Sequence, residues 1–96
     1  MKNMTYTATL YVNNTFIGES EYYITHSVEI TDDETNLMLR MCDGLNSMVG
    51  WNLQNNHFVS VFDKDGAVVL LNPNTITKMY PSLTDVKIED ISAISK

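Results

Sequence analysis

The chain has little of what several functional classes need. Its 96 residues include one cysteine, two prolines and four glycines, and six lysines and arginines against twelve aspartates and glutamates. One cysteine cannot close an intramolecular disulfide, so nothing points to an oxidising compartment. A net charge of -6 with a single arginine, Arg40, argues against direct nucleic-acid binding, which neutralises phosphates with clustered basic side chains. No run approaches the ~18–20 apolar residues of a membrane helix. Lys2 is followed by no apolar signal core, so no membrane association is expected and the cytoplasm is the expected compartment. Without such a signal, the sequons Asn3-Met4-Thr5 and Asn13-Asn14-Thr15 are chance matches. No repeat or low-complexity segment interrupts the chain.

What is present reads as one compact domain over residues 1–96. A hydrophobic fraction of 44% with 19% charged residues is globular in composition. Tyr6, Ala8, Leu10 and Val12 alternate with Thr7, Thr9 and Tyr11, the period of a strand. Asn13-Asn14 then suits a hairpin turn, after which Phe16-Ile17 resumes an apolar signal and Gly18 marks a bulge or bend. A second alternation sets Tyr22, Ile24, His26, Val28 and Ile30 on one face and Glu21, Tyr23, Thr25, Ser27 and Glu29 on the other. Thr31-Asp32-Asp33-Glu34 has the form of a capping box, with three acids suited to a helix N-terminus. Leu37, Met38, Met41, Leu45 and Met48 follow at helical spacing, although Leu37 to Cys42 also admits a strand. Gly44 either ends this helix or sits within a longer one.

From Trp51 onward the pattern returns to strands. His57 to Phe62 is one; Asp63-Lys64-Asp65-Gly66 is a turn; Ala67 to Leu71 is a continuous apolar run, as for a strand buried on both faces. Asn72-Pro73-Asn74 breaks it, Thr75 to Tyr80 alternates up to Pro81, and Val86 to Ile94 reads as a short strand and a helical turn. The stretch from Asp65-Gly66-Ala67 to Ile76, with Val86 to Ile94, resembles the strand-turn-strand rhythm of small SH3-like or Sm-like barrels. The expected fold is α+β: a strongly bent antiparallel sheet or incomplete small barrel of about five strands, covered by one helix.

Catalytic and metal chemistry find few candidates. His26 shares a face with apolar residues and reads as a hydrogen-bonded core or edge residue. Cys42, beside Asp43 and near the expected helix end, lacks the positive surroundings that activate a thiolate and reads as a small hydrophobe. Asp63-Lys64-Asp65-Gly66 resembles the middle of a calcium-binding EF-hand loop but fails at both anchors. Aligning Gly66 with the invariant glycine puts Val61 at the first ligand and Asn72 where a bidentate glutamate belongs. No paired Cys or His spacing suits zinc, so no metal, cofactor or catalytic residue is assigned.

The placement of the acids carries more information. Residues 1–39 hold Lys2 against Glu19, Glu21, Glu29, Asp32, Asp33 and Glu34, a net of -5, whereas residues 40–96 hold five bases against six acids, a net of -1. A field of one sign steers a partner of the other. The reading is therefore a non-enzymatic protein-binding module that docks on a basic protein surface through those six acids with Tyr22 and Tyr23 as anchors. A phage or mobile-element inhibitor of a host nucleic-acid-handling or defence protein fits that description. The alternative is an oligomer that sequesters a small ligand such as a nucleotide, with Trp51, Asn55, Asn56, His57 and Lys78 lining sites between subunits. The small core and the Thr75 to Tyr80 edge make a homodimer or higher oligomer a hypothesis in both cases.

Overall fold

The computed structural model describes residues 1–90. Strands β1 (Lys2–Asn14) and β2 (Gly18–Ile30) form a long hairpin, helix α1 (Leu37–Gln54) follows, then β3 (Val59–Phe62), β4 (Val68–Leu71), a short 3-10 turn (Pro73–Thr75) and β5 (Ile76–Asp90). The sheet is antiparallel and open, in the order β4-β3-β2-β1-β5. This is the expected α+β layout of five strands and one helix, and the barrel does not close.

Alternation along β1 and β2 builds the core. Met4, Tyr6, Ala8, Leu10 and Val12 face the helix with Ile24, Val28 and Ile30, and Met41 and Leu45 of α1 close over them. Val59, Val61 and Leu71 extend this layer under β3 and β4. Each large aliphatic side chain so buried contributes ~1.5–3 kcal/mol. Gly44 belongs to the interior of α1 because β2 passes too close for a side chain. A Cβ there would lie 2.5 Å from Val28 Cγ1 and 3.0 Å from the Tyr6 hydroxyl.

Several local expectations change. The hairpin turn falls on Thr15-Phe16-Ile17 rather than Asn13-Asn14, so Phe16 and Ile17 form an exposed tip, and Gly18 closes it at φ +86°. The capping box does not cap: Thr31 to Glu34 makes a turn, with the Glu34 amide donating to the Thr31 carbonyl at 3.2 Å. The helix starts three residues later, where Asn36 Oδ1 accepts from the Leu39 amide at 3.0 Å, and its first turn holds no acid. It continues through Trp51 to Gln54, which places Cys42 in its first half. Ala67 to Leu71 is not buried on both faces, since β4 is a sheet edge with Val68 and Leu70 in solvent. Pro81 does not end its strand. β5 is the other edge, where a proline nitrogen can face outward without breaking the ladder. The strand also crosses to pair with β1 instead of continuing the meander. Ile91 and Ile94, read as part of a helical turn, lie outside the described residues.

Candidate functional site

One face of the sheet is covered by α1; the other faces water. Register defines what the open face presents. Val68 pairs with Phe62, Phe62 with Tyr23, Tyr23 with Thr9, and Thr9 with Tyr80, so one row crosses all five strands. Its large side chains are well exposed: Val68 65%, Tyr80 54%, Phe62 43% and Tyr23 36%, with Leu70 beside them at 62%. The adjoining row is Glu21, Tyr11 and Lys78 on β2, β1 and β5. Aromatic and aliphatic groups exposed in register over five strands form a patch, which scattered surface hydrophobes do not.

The polar groups hold the rings in place. Tyr11 donates its phenol proton to Glu21 Oε1 at 2.8 Å and Tyr23 donates to Glu21 Oε2 at 2.7 Å. Bonding to Tyr23 and then Tyr11 holds the Glu21 carboxyl below the usual range, and the same bonds raise both phenols. Tyr80 meets Tyr11 edge-on at 5.6 Å. Lys78 Nζ lies 5.3 Å from the Tyr11 ring centre and 3.3 Å from Glu19 Oε2. Rings fixed in this way lose little freedom when a partner covers them.

The remaining predicted acids fall at two ends of this face. Glu19 and Glu21 stand near the hairpin tip, while Glu29 pairs with Asn3 toward the other end of β2, about 26 Å from Glu21 at strand rise. Asp32, Asp33 and Glu34 lie in the β2–α1 loop. Asp32 is 4.0 Å from the N-terminal ammonium, and a bond from the Thr31 hydroxyl lowers the Asp33 carboxyl. The two predicted anchors separate: Tyr23 is on the open face, whereas Tyr22 points to the helix side and packs half-buried against the core.

The fold brings to this face residues that the sequence reading does not place there. The β3–β4 turn carries Asp63, Lys64 and Asp65 against Ser20, Glu21, Tyr22 and Tyr23, around a groove of about 330 Å³. Asp63 Oδ1 itself accepts from the amides of Asp65 and Ala67, both at 2.9 Å, which shapes the turn. Tyr11, Phe62, Val68 and Tyr80 join the face in the same way. Tyr11 already stands on the polar face of its strand, but only the register reveals its neighbours.

The residues of the alternative reading partly converge. Trp51 and His57 have ring centres 5.0 Å apart at 45°. Asn55 caps the helix, donating from its backbone amide and from Nδ2 to the Trp51 carbonyl. Asn56, at φ +56°, and His57 line a polar groove of about 180 Å³ with Asn52, Asn72, Asn74 and Pro73. Lys78 is not among them; it lies on the opposite face of the sheet, paired with Glu19.

His26 is half-buried on the helix side. The Tyr6 hydroxyl donates to the Met41 carbonyl at 2.9 Å and lies 3.0 Å from His26 Nδ1. A hydroxyl has one proton, so His26 carries its own on Nδ1 and donates to Tyr6. Burial, then the nearby Arg40 charge, pushes the His26 imidazole down; burial pushes the Tyr6 phenol up to about 12, against the lowering pull of Arg40. Among the described residues no group of three or more His, Cys, Asp or Glu is placed to hold a metal, and no helix is long and apolar enough to cross a membrane. Comparison with protein-family models, curated proteins and solved structures finds no match for the chain.

Proposed function

We propose that the open face of the sheet is a protein-docking surface for a basic partner and that the protein acts by binding rather than by catalysis. The observation that carries this reading is the exposed row Val68–Phe62–Tyr23–Thr9–Tyr80, bordered by Glu19 and Glu21 with Asp63 and Asp65, while Glu29 adds charge toward the far end of β2. Arginine suits such a surface. Its guanidinium stacks on aromatic faces, forms two parallel bonds to a carboxylate, and sheds water more readily than lysine. The acids that attract it oppose a phosphate backbone, which supports a protein partner over a nucleic acid. A small acidic binder of this kind can block the basic cleft of a nucleic-acid-handling or defence enzyme, as a phage or mobile element would require inside the cytoplasm of its host.

The test uses the isotopically labelled protein titrated with an arginine-rich peptide, a glutamate-rich peptide and a DNA duplex, followed by amide shift changes. The arginine-rich peptide is expected to move residues of β1, β2 and β3 around Tyr11, Tyr23 and Phe62, less so as salt rises. Combining Glu19→Gln, Glu21→Gln and Glu29→Gln should remove most of that response. No response at millimolar peptide, or a stronger response to the duplex at the same face, would sink the proposal.

The Trp51–His57 contact beside the asparagine-lined groove favours a second reading, capture of a small planar ligand such as a nucleobase by amide bonds and stacking. A nucleotide panel that leaves the melting temperature unchanged would count against it.

A further inference from the structure

The open face of the sheet already holds a cation of its own. Lys78 on β5 stands directly opposite Tyr11 of β1, and its side chain lies across that strand toward β2. Its Nζ is 5.3 Å from the Tyr11 ring centre and 3.3 Å from Glu19 Oε2. Three strands thus supply one small site, with a ring as its floor and a carboxylate at its end, and both groups attract positive charge.

The floor is fixed and its occupant is loose. Tyr80 meets the Tyr11 ring edge-on at 5.6 Å, and the Tyr11 phenol is bonded to Glu21. The Lys78 side chain is 50% exposed and that of Glu19 46%, and an ion pair so open to water contributes little and separates readily. The two carboxylates differ as well. Both oxygens of Glu21 accept phenol protons, from Tyr11 and Tyr23, so Glu21 holds the rings in place. Glu19 meets Lys78 through one oxygen. A forked cation that uses both oxygens of a carboxylate is therefore better served by Glu19 than by Glu21.

We propose that the Tyr11–Glu19 site is the subsite for an arginine of a protein partner, and that Lys78 fills it in the free protein as a built-in competitor. This rests on the docking reading of the open face and names the place where its partner's cation lands. A guanidinium suits the site better than the ammonium it replaces. It stacks flat on the Tyr11 ring and forms two parallel bonds to Glu19, whereas an ammonium is a compact point charge that holds its water more strongly. Lys78 then swings into solvent beyond the β5 edge. The competitor also sets a threshold. A lone cation gains little by replacing another, while an arginine tethered to further contacts along the Tyr23–Phe62 row gains enough to displace it.

The test titrates the arginine-rich peptide into the parent protein and into Lys78→Gln, Lys78→Ala and Lys87→Gln. Lys87 lies on the same face of β5 but opposite Thr5, about 20 Å from Lys78, so its loss removes an equal charge away from the site. Both Lys78 variants should bind the peptide about twofold to fivefold more tightly than Lys87→Gln. The gain should vanish when Glu19→Gln is added. In the parent, the Lys78 Hε resonances should start upfield, over the ring, and move to solvent values as the peptide binds. If the peptide still moves Tyr11 and Tyr23 but neither Lys78 variant binds it more tightly, the competitor is refuted and the docking reading stands. An equal gain for a lysine-rich peptide of the same length overturns the assignment to arginine. If no variant and no parent protein responds to the peptide, the docking reading falls and this proposal with it.

Discussion

The two faces of the β1–β2 hairpin come from the same residues read at odd and even positions, yet they differ in nearly every physical respect. The even face of β1 is sealed under the helix, with Met4, Tyr6 and Leu10 fully buried. The odd face holds Thr5, Thr7, Thr9 and Tyr11 beside Glu21, Tyr23 and Glu29, in solvent or half in it. Strand alternation alone produces the separation. The sealed face carries stability, while the open face combines exposed rings with carboxylates that stability does not require. Such a use of surface is what the proposed docking face requires and a core does not.

The contrast would break first if the sealed face tolerated a cavity. Leu45 is 1% exposed and packs among Tyr6, Met41 and the β2 aliphatics. Leu45→Ala should cost about 2–5 kcal/mol, read as a lower urea midpoint with an unchanged slope. Gly44→Ala tests the opposite limit. The methyl would overlap Val28, whose backbone is fixed in the hairpin, and overpacking of ~1–3 kcal/mol outweighs the ~1 kcal/mol that alanine gains in a helix. A net loss of up to about 2 kcal/mol is expected, and a gain would show that α1 floats over the sheet.

A smaller effect belongs to the polar contact of Tyr6 with His26 beneath the helix. His26 has its folded-state basicity lowered from 6.5, chiefly by burial. The unfolded chain therefore binds the proton first as pH falls. The contribution of neutral His26 is complete above about pH 6.5 and is lost as pH drops from there through the lower folded value. Unfolding at a series of pH values should show this slope, and His26→Gln should flatten it. Tyr6 acts at the other extreme. Its phenol, pushed up to about 12, stabilises the fold fully below pH 10, and that support is lost as pH rises toward 12, a loss that Tyr6→Phe should abolish.

The sealed face is legible in the sequence and the open one only in part. One-sided burial repeats every second residue, so Tyr6 to Val12 and Tyr22 to Ile30 announce themselves. The helix start is misplaced because Thr31-Asp32-Asp33-Glu34 and Asn36 both offer caps, and only Asn36 sits where the chain turns onto the sheet. The run Ala67 to Leu71 suggests two buried faces, but which strand becomes an edge depends on pairing, and the link between Thr9 and Tyr80 spans most of the chain. The acids are visible as a charge imbalance. Their neighbours Tyr11, Phe62 and Tyr80 are not, because a row across a sheet has no trace in any one strand.

The smallest stability effect is expected where the functional effect is largest. Tyr23 and Phe62 face water, and their partners are Glu21 and each other's strand neighbours rather than the core. Replacing both by serine removes a bond between exposed groups and little buried area, so unfolding free energy should move by less than about 1 kcal/mol. Binding of the arginine-rich peptide should nonetheless fall at least about tenfold, since paired aromatic anchors at the centre of a patch carry most of its affinity. If the double variant unfolds with Leu45→Ala, the two faces are one structural unit and the open face owes its rings to the fold. If it stays folded and binds normally, the rings are ornamental to recognition and the carboxylates act alone. Only a folded variant that no longer binds keeps the division between a face that holds the chain together and a face that meets a partner.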